Sequence, residues 1–97
     1  MSGPPGVTWQ AKPGLADEEL DGERVVWDPA SGRLARLDPI GSLVWACLHE
    51  PVDLDELSAD VADAFGAPVG DVRADVATLL RRLADLGLVV ERGEGSA

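Results

Sequence analysis

The residues able to do chemistry in this chain are few, and their spacing keeps them apart. His49 is the only histidine and Cys47 the only cysteine. A nucleophilic thiol needs a base within hydrogen-bond reach, yet side chains at i and i+2 of one helix point about 200° apart. His49 therefore reads as a structural or surface histidine. Thiolate and imidazole sites for zinc need further nitrogen or sulfur ligands that this chain lacks. Carboxylates are plentiful, with Asp17, Glu18, Glu19 and Asp21 in one group and Asp53, Asp55 and Glu56 in another. They fall at turns, helix N-termini and polar faces, where negative charge serves solubility and complements the helix dipole. The glycines lie in tails, turns and caps, and none builds a G-x-G-x-x-G or Walker loop behind a strand. These residues imply no catalytic site, no metal and no cofactor, and hence a protein that is not an enzyme. Of the three tryptophans, Trp27 and Trp45 are expected to pack in the core, whereas Trp9 lies in a terminal segment and is expected to dock on its own domain or on a partner.

The composition narrows the partners. Ninety-seven residues, 45% of them hydrophobic, suffice for one domain with a single core. Eighteen acidic against 8 basic residues give a net charge of −10, which repels phosphate backbones and anionic lipid. A lone cysteine cannot form an internal disulfide, and the start MSGPPG has neither the basic nor the apolar region of an export signal. No apolar run approaches the roughly 20 residues that span a bilayer. A soluble, cytoplasmic chain is expected, with no nucleic acid and no membrane as partner.

The elements that would position a site follow from the pattern. Residues 1–14 carry Pro4, Pro5 and Pro13 with Gly3, Gly6 and Gly14, and residues 93–97 are small and polar; both ends are expected to be flexible around a domain at 15–92. Residues 23–28 (ERVVWD) and 33–38 (RLARLD) read as strands around a Pro–Gly loop, with a further strand at 16–20 joined through the Asp21–Gly22 turn. Asp38–Pro39 opens a first helix whose apolar stripe is Ile40, Leu43, Val44, Cys47 and Leu48. Asp53 with Glu56 opens a second, striped by Leu54, Leu57, Val61, Ala64 and Phe65 and ended by Gly66. A third helix runs over 68–86, with Val72, Val76, Leu79, Leu83 and Leu86 on one face. It ends at Gly87, with Leu88 folding back onto Leu83 before a closing strand at 88–91. The fold class expected is α+β: a three-stranded antiparallel meander followed by a three-helix winged helix-turn-helix unit.

That order, over residues 16–90, is similar to the PqqD-like family, also called RiPP recognition elements. The run DGERVVWDPASGRLARLDPIGSLVWACL resembles the family's strand, turn, strand, L-N-x-x-G and helix, and ADVATLLRRLADLGLVV resembles its third helix and closing L-x-x-L-G-L-V. Asp38 stands where the family commonly has Asn, a change that preserves N-capping. The resemblance implies a non-catalytic module that captures the leader segment of a ribosomally made precursor peptide. It would present that peptide to a modifying enzyme such as a radical SAM protein, a cyclase or a leader peptidase. It also implies that the leader adds as a strand along Arg33, Leu34, Ala35, Arg36 and Leu37. The helix wall would then be Arg73, Asp75, Val76, Leu79, Leu80 and Arg82, with backbone bonds giving affinity and side-chain pockets giving specificity. Leu37, Val76 and Leu79 are also expected to serve the core.

Arg33, Arg36, Arg73, Arg81 and Arg82 lie on these two elements of an otherwise acidic chain, so the groove is expected to be a basic island preferring an acidic leader with an aromatic or aliphatic anchor. The open strand edge also allows a homodimer. The alternative reading is a winged-helix DNA-binding transcriptional regulator, against which stand the net charge and Asp71, Asp75 and Asp85 on the third helix.

Overall fold

Turn and cap residues set the element boundaries in the computed structural model, which describes residues 7–93. The elements run β1 Val7–Ala11, β2 Ala16–Leu20, β3 Glu23–Trp27, β4 Leu34–Leu37, α1 Pro39–Cys47, β5 Val52–Asp53, α2 Leu54–Phe65, α3 Val69–Asp85 and β6 Val89–Gly93. Asp21 at φ 53° and Gly22 at φ 82° supply the left-handed pair that a tight two-residue hairpin between β2 and β3 requires. Asp38 caps α1 through Gly41 N at 2.7 Å, and Asp53 caps α2 through Glu56 N at 2.7 Å. At the end of α3, Gly87 N donates to Ala84 O and Leu88 N to Leu83 O, each at 2.9 Å, with Gly87 at φ 76°. This is a Schellman ending, and the buried pair Leu83 and Leu88 supplies its apolar contact.

The protein is α+β, with three helices among the described residues, but its sheets differ from the single meander expected. β2, β3 and β4 form one antiparallel sheet in that order, and β5, β1 and β6 form a second. β1 lies inside the stretch expected to be flexible. Trp9 pairs with Val52 on one side and Glu91 on the other, while Ala11 N donates to Leu48 O at 2.8 Å and Lys12 N to Leu88 O at 3.0 Å. The proline and glycine content around β1 masks a strand whose hydrogen-bond partners lie far along the chain. Trp9 is partly buried against the core of its own domain. The flexibility expected of residues 1–6 and 94–97 lies outside the described residues. The closing strand expected at 88–91 extends to Gly93.

Helix faces are rotated slightly from the expected stripes. α1 buries Gly41, Val44 and Trp45, leaving Ile40 at the margin; α2 buries Leu57, Ser58, Val61 and Ala62, leaving Phe65 exposed. α3 buries Val72, Val76, Leu80 and Leu83, so Leu79 and Leu86 lie at the edge of its face. Together with Val26, Leu37, Leu48 and Leu88 these side chains make one core between the sheets and the helices.

Lys12 ties the N-terminal segment to the β3–β4 loop. Its Nζ lies 2.8 Å from Asp28 Oδ2, and Ala30 N donates to Asp28 Oδ1 at 2.9 Å. The Lys12 hydrogen bond, helped by the Ala30 N–H, holds the Asp28 carboxyl below its ordinary range. A carboxyl lowered on folding contributes stability above its unfolded pKa, and that contribution is lost as pH falls through the folded value. Asp28→Asn is therefore expected to lower the urea midpoint at pH 7. The difference from the native chain should begin to shrink as pH falls through the ordinary carboxylate range. It should vanish only once pH has passed below the lowered folded value of Asp28, where both side chains are uncharged. Urea titrations at pH 7 and at a series of acid pH values check this.

Candidate functional site

The outer edge of β4 is open, because among the described residues this strand pairs with β3 alone. The register opposes Leu37 to Arg24, Arg36 to Val25, Ala35 to Val26 and Leu34 to Trp27; one step further, Asp28 N donates to Arg33 O at 2.9 Å. Hydrogen-bonded and non-hydrogen-bonded pairs alternate in an antiparallel ladder. Ala35 and Leu37 therefore bond to β3, and the N–H and C=O groups of Leu34 and Arg36 point to the open side. The side chains alternate too: Ala35 and Leu37 face the core, whereas Leu34 and Arg36 are exposed.

A groove of about 390 Å³ lies beside this edge, with α3 as its other wall. Arg36 and Leu37 of β4 and Asp75, Val76, Thr78, Leu79 and Arg82 of α3 line it, joined by Glu23, Asp38, Ile40 and Gly41. Gly41 lets the start of α1 press against the end of β4, since a Cβ there would lie 3.2 Å from both Leu37 Cβ and Asp38 Oδ1. Ile40, in the same turn, is partly buried against the core and also lines the groove.

Six of the side chains expected at the site, Arg36, Leu37, Asp75, Val76, Leu79 and Arg82, do line the groove. Leu37 and Val76 are almost wholly buried and offer it little surface. Leu80 was expected on the helix wall but is 0% exposed in the core; Leu79, one residue earlier, is half-buried and lines the groove. Ala35 offers the groove neither side chain nor backbone, its methyl group being buried and its N–H and C=O bonding to β3. Arg73 does not line the groove, its Nε lying 2.7 Å from Asp55 Oδ1 on α2. Arg33 reaches α3 differently, donating from Nη1 to the Asp85 carbonyl at 3.3 Å. Glu23, Asp38, Ile40, Gly41 and Thr78 line the groove without having been expected there. For Ile40 a signal existed, since Asp38–Pro39 starts a helix directly after β4 and must leave first-turn residues beside the end of that strand.

The basic island does not form. Arg36 Nη2 lies 2.8 Å from Glu23 Oε1, and Asp38 and Asp75 add negative charge to the lining. Arg82 has no ion-pair partner among the described residues. Counting arginines along elements could not show this, because the neutralising groups come from other strands and helices. Elsewhere, His49 is exposed, and the half-buried Cys47 thiol is pushed up by burial and by the charge of Asp60, away from the range of a reactive thiolate.

A family model described as Coenzyme PQQ synthesis protein D (PqqD) matches residues 23–89, more than half of the chain and a stretch that holds both walls of the groove. The chain belongs to the PqqD family. Two solved structures share its fold. One is described as TbiB1 in complex with the TbiA(beta) leader peptide, with TM-score 0.70 and 25% identity, covering 91% of this chain and 98% of that one. The other is a lasso peptide synthetase B1 complexed with the leader peptide, with TM-score 0.71 and 18% identity, covering 84% of this chain and 96% of that one. No curated protein matches the chain. Against the PqqD match, β1 and β2 lie before the matched residues, so the second sheet draws on chain that the family model does not cover. No described helix of this PqqD-family chain is long and apolar enough to cross a membrane.

Proposed function

We propose that this chain is a non-catalytic module that binds the leader segment of a ribosomally made precursor peptide and presents that peptide to a modifying enzyme in the cytoplasm. The observation that carries the reading is the open β4 edge, where the backbone groups of Leu34 and Arg36 face outward beside a groove walled by α3. Strand addition there satisfies main-chain donors and acceptors whatever the peptide sequence, and the groove reads alternate side chains. Membership of the PqqD family and the likeness to TbiB1, a structure with a leader peptide bound, support the same reading. The helices and β6, as a winged helix-turn-helix unit, serve as the scaffold that holds α3 across from the strand. Radical SAM proteins, cyclases and leader peptidases are the classes of enzyme proposed to receive the peptide.

The other exposed edge of the same sheet is poorly suited to this task. β2 presents Asp17, Glu18 and Glu19 in a row, a charge pattern that discourages a further strand. The test is a fluorescence anisotropy titration with the leader segment of each candidate precursor peptide encoded in the same genome. Saturable binding of the leader, with weak binding of the core segment and no change in peptide mass, is expected. A leader bound no better than the core segment would overturn the reading, and a shifted band with genomic DNA would favour the regulator instead.

A further inference from the structure

The groove is charged in opposite senses at its two ends. Asp75, Leu79 and Arg82 stand at i, i+4 and i+7 of α3, one stripe facing the groove. Neither Asp75 nor Arg82 has an ion-pair partner among the described residues, whereas Arg36 is already neutralised by Glu23. The Arg33 contact to the Asp85 carbonyl ties the beginning of β4 to the last turn of α3, so strand and helix run in opposite senses along the groove. Arg82 thus lies toward the start of β4, and Asp75 toward its end, where Asp38 adds a second carboxylate.

Spacing converts this into a peptide pattern. At about 1.5 Å per helical residue, Leu79 lies about 6 Å and Arg82 about 10.5 Å beyond Asp75. In an extended peptide, side chains on one face recur about every 6.7 Å. A residue opposite Asp75 is followed two positions later by one opposite Leu79, and two positions later again by one within reach of the long Arg82 side chain. Both sheets of this protein are antiparallel throughout, and antiparallel pairing is the more stable per residue. An antiparallel peptide enters beside Asp75 and leaves beside Arg82.

We propose that the groove selects, from N to C, a basic residue, then an aliphatic one, then an acidic one, in the pattern Lys/Arg-x-Leu/Ile/Val-x-Asp/Glu. This rests on the peptide-binding reading and deepens it. The aliphatic residue covers Leu79 and Ile40, and the two charges give register and direction as well as affinity.

Selection from a displayed library of randomised short peptides tests it, run in parallel on the native chain and on the D75R/R82D double variant, with thermal melts to confirm that both are folded. The native chain should enrich the pattern, and the double variant should enrich its reverse, acidic before basic. A synthetic peptide with the pattern should bind the native chain roughly fivefold more tightly than the same peptide with its charges exchanged, a preference that high salt erases. Enrichment of the aliphatic residue without either charge, or of the reverse order on the native chain, would overturn the pattern while leaving the peptide groove standing. Enrichment of nothing would remove the groove's role and the pattern with it.

Discussion

Leu34→Pro is expected to weaken leader binding about tenfold or more while leaving the domain folded. The Leu34 N–H faces the open side of β4, so proline there removes a donor that the protein's own ladder does not use. A leader strand loses that hydrogen bond and meets the proline ring where it needs to approach. One hydrogen bond is worth about 0.5–1.5 kcal/mol net, and the steric block adds to it, which together pass the 1.4 kcal/mol of a tenfold change. Ala35→Pro makes the contrast. The Ala35 N–H belongs to the β3–β4 ladder and its side chain is buried, so this substitution should unfold the hairpin and lower the thermal midpoint sharply. Anisotropy titrations and melts on both variants separate the effects. Native leader affinity in Leu34→Pro would mean that the peptide does not add to this edge.

The second large effect divides two adjacent leucines. Leu80 is 0% exposed among Val76, Leu83 and the rest of the core, and Leu80→Ala should cost about 2–5 kcal/mol of unfolding free energy through lost burial and the cavity left behind. Since a domain of this kind has only about 5–15 kcal/mol in total, that loss is visible in any denaturant titration. Leu79 sits about 100° round the helix and lines the groove. Leu79→Ala should change stability by less than about 1 kcal/mol while weakening leader binding about fivefold or more, because it removes the accessible apolar side chain of the α3 wall. Equal stability losses in the two variants, with leader affinity intact in Leu79→Ala, would place the binding surface elsewhere.

These two leucines show where reading the chain succeeds and where it stops. Apolar periodicity put Leu79 on the buried stripe of α3 and left Leu80 off it, whereas the structure buries Leu80 and leaves Leu79 at the edge; a few tens of degrees of helix rotation make the difference, and packing against the neighbouring elements sets that rotation. The same limit explains Ile40, which the stripe counted on the buried face of α1 but which lies only partly buried beside the groove. Arg73 and Arg36 make the electrostatic version of the point. Each lies on an expected element, but Asp55 on α2 takes the first and Glu23 on β3 takes the second.

What the sequence by itself determined was local. Asp38–Pro39, Asp53 with Glu56, Asp21–Gly22, Gly66 and Gly87 mark the caps and turns through bonds and dihedral angles that span a few residues, and each occurs where its neighbours required it. The single histidine and single cysteine were also readable, since composition does not depend on folding. Only the tertiary structure decided the rest: that residues 7–11 form a strand, that a second sheet exists, and that the groove carries charge of both signs. Each of these depends on partners brought from distant parts of the chain, and neither strand pairing nor ion pairing at such separations leaves a mark in the local pattern of residues.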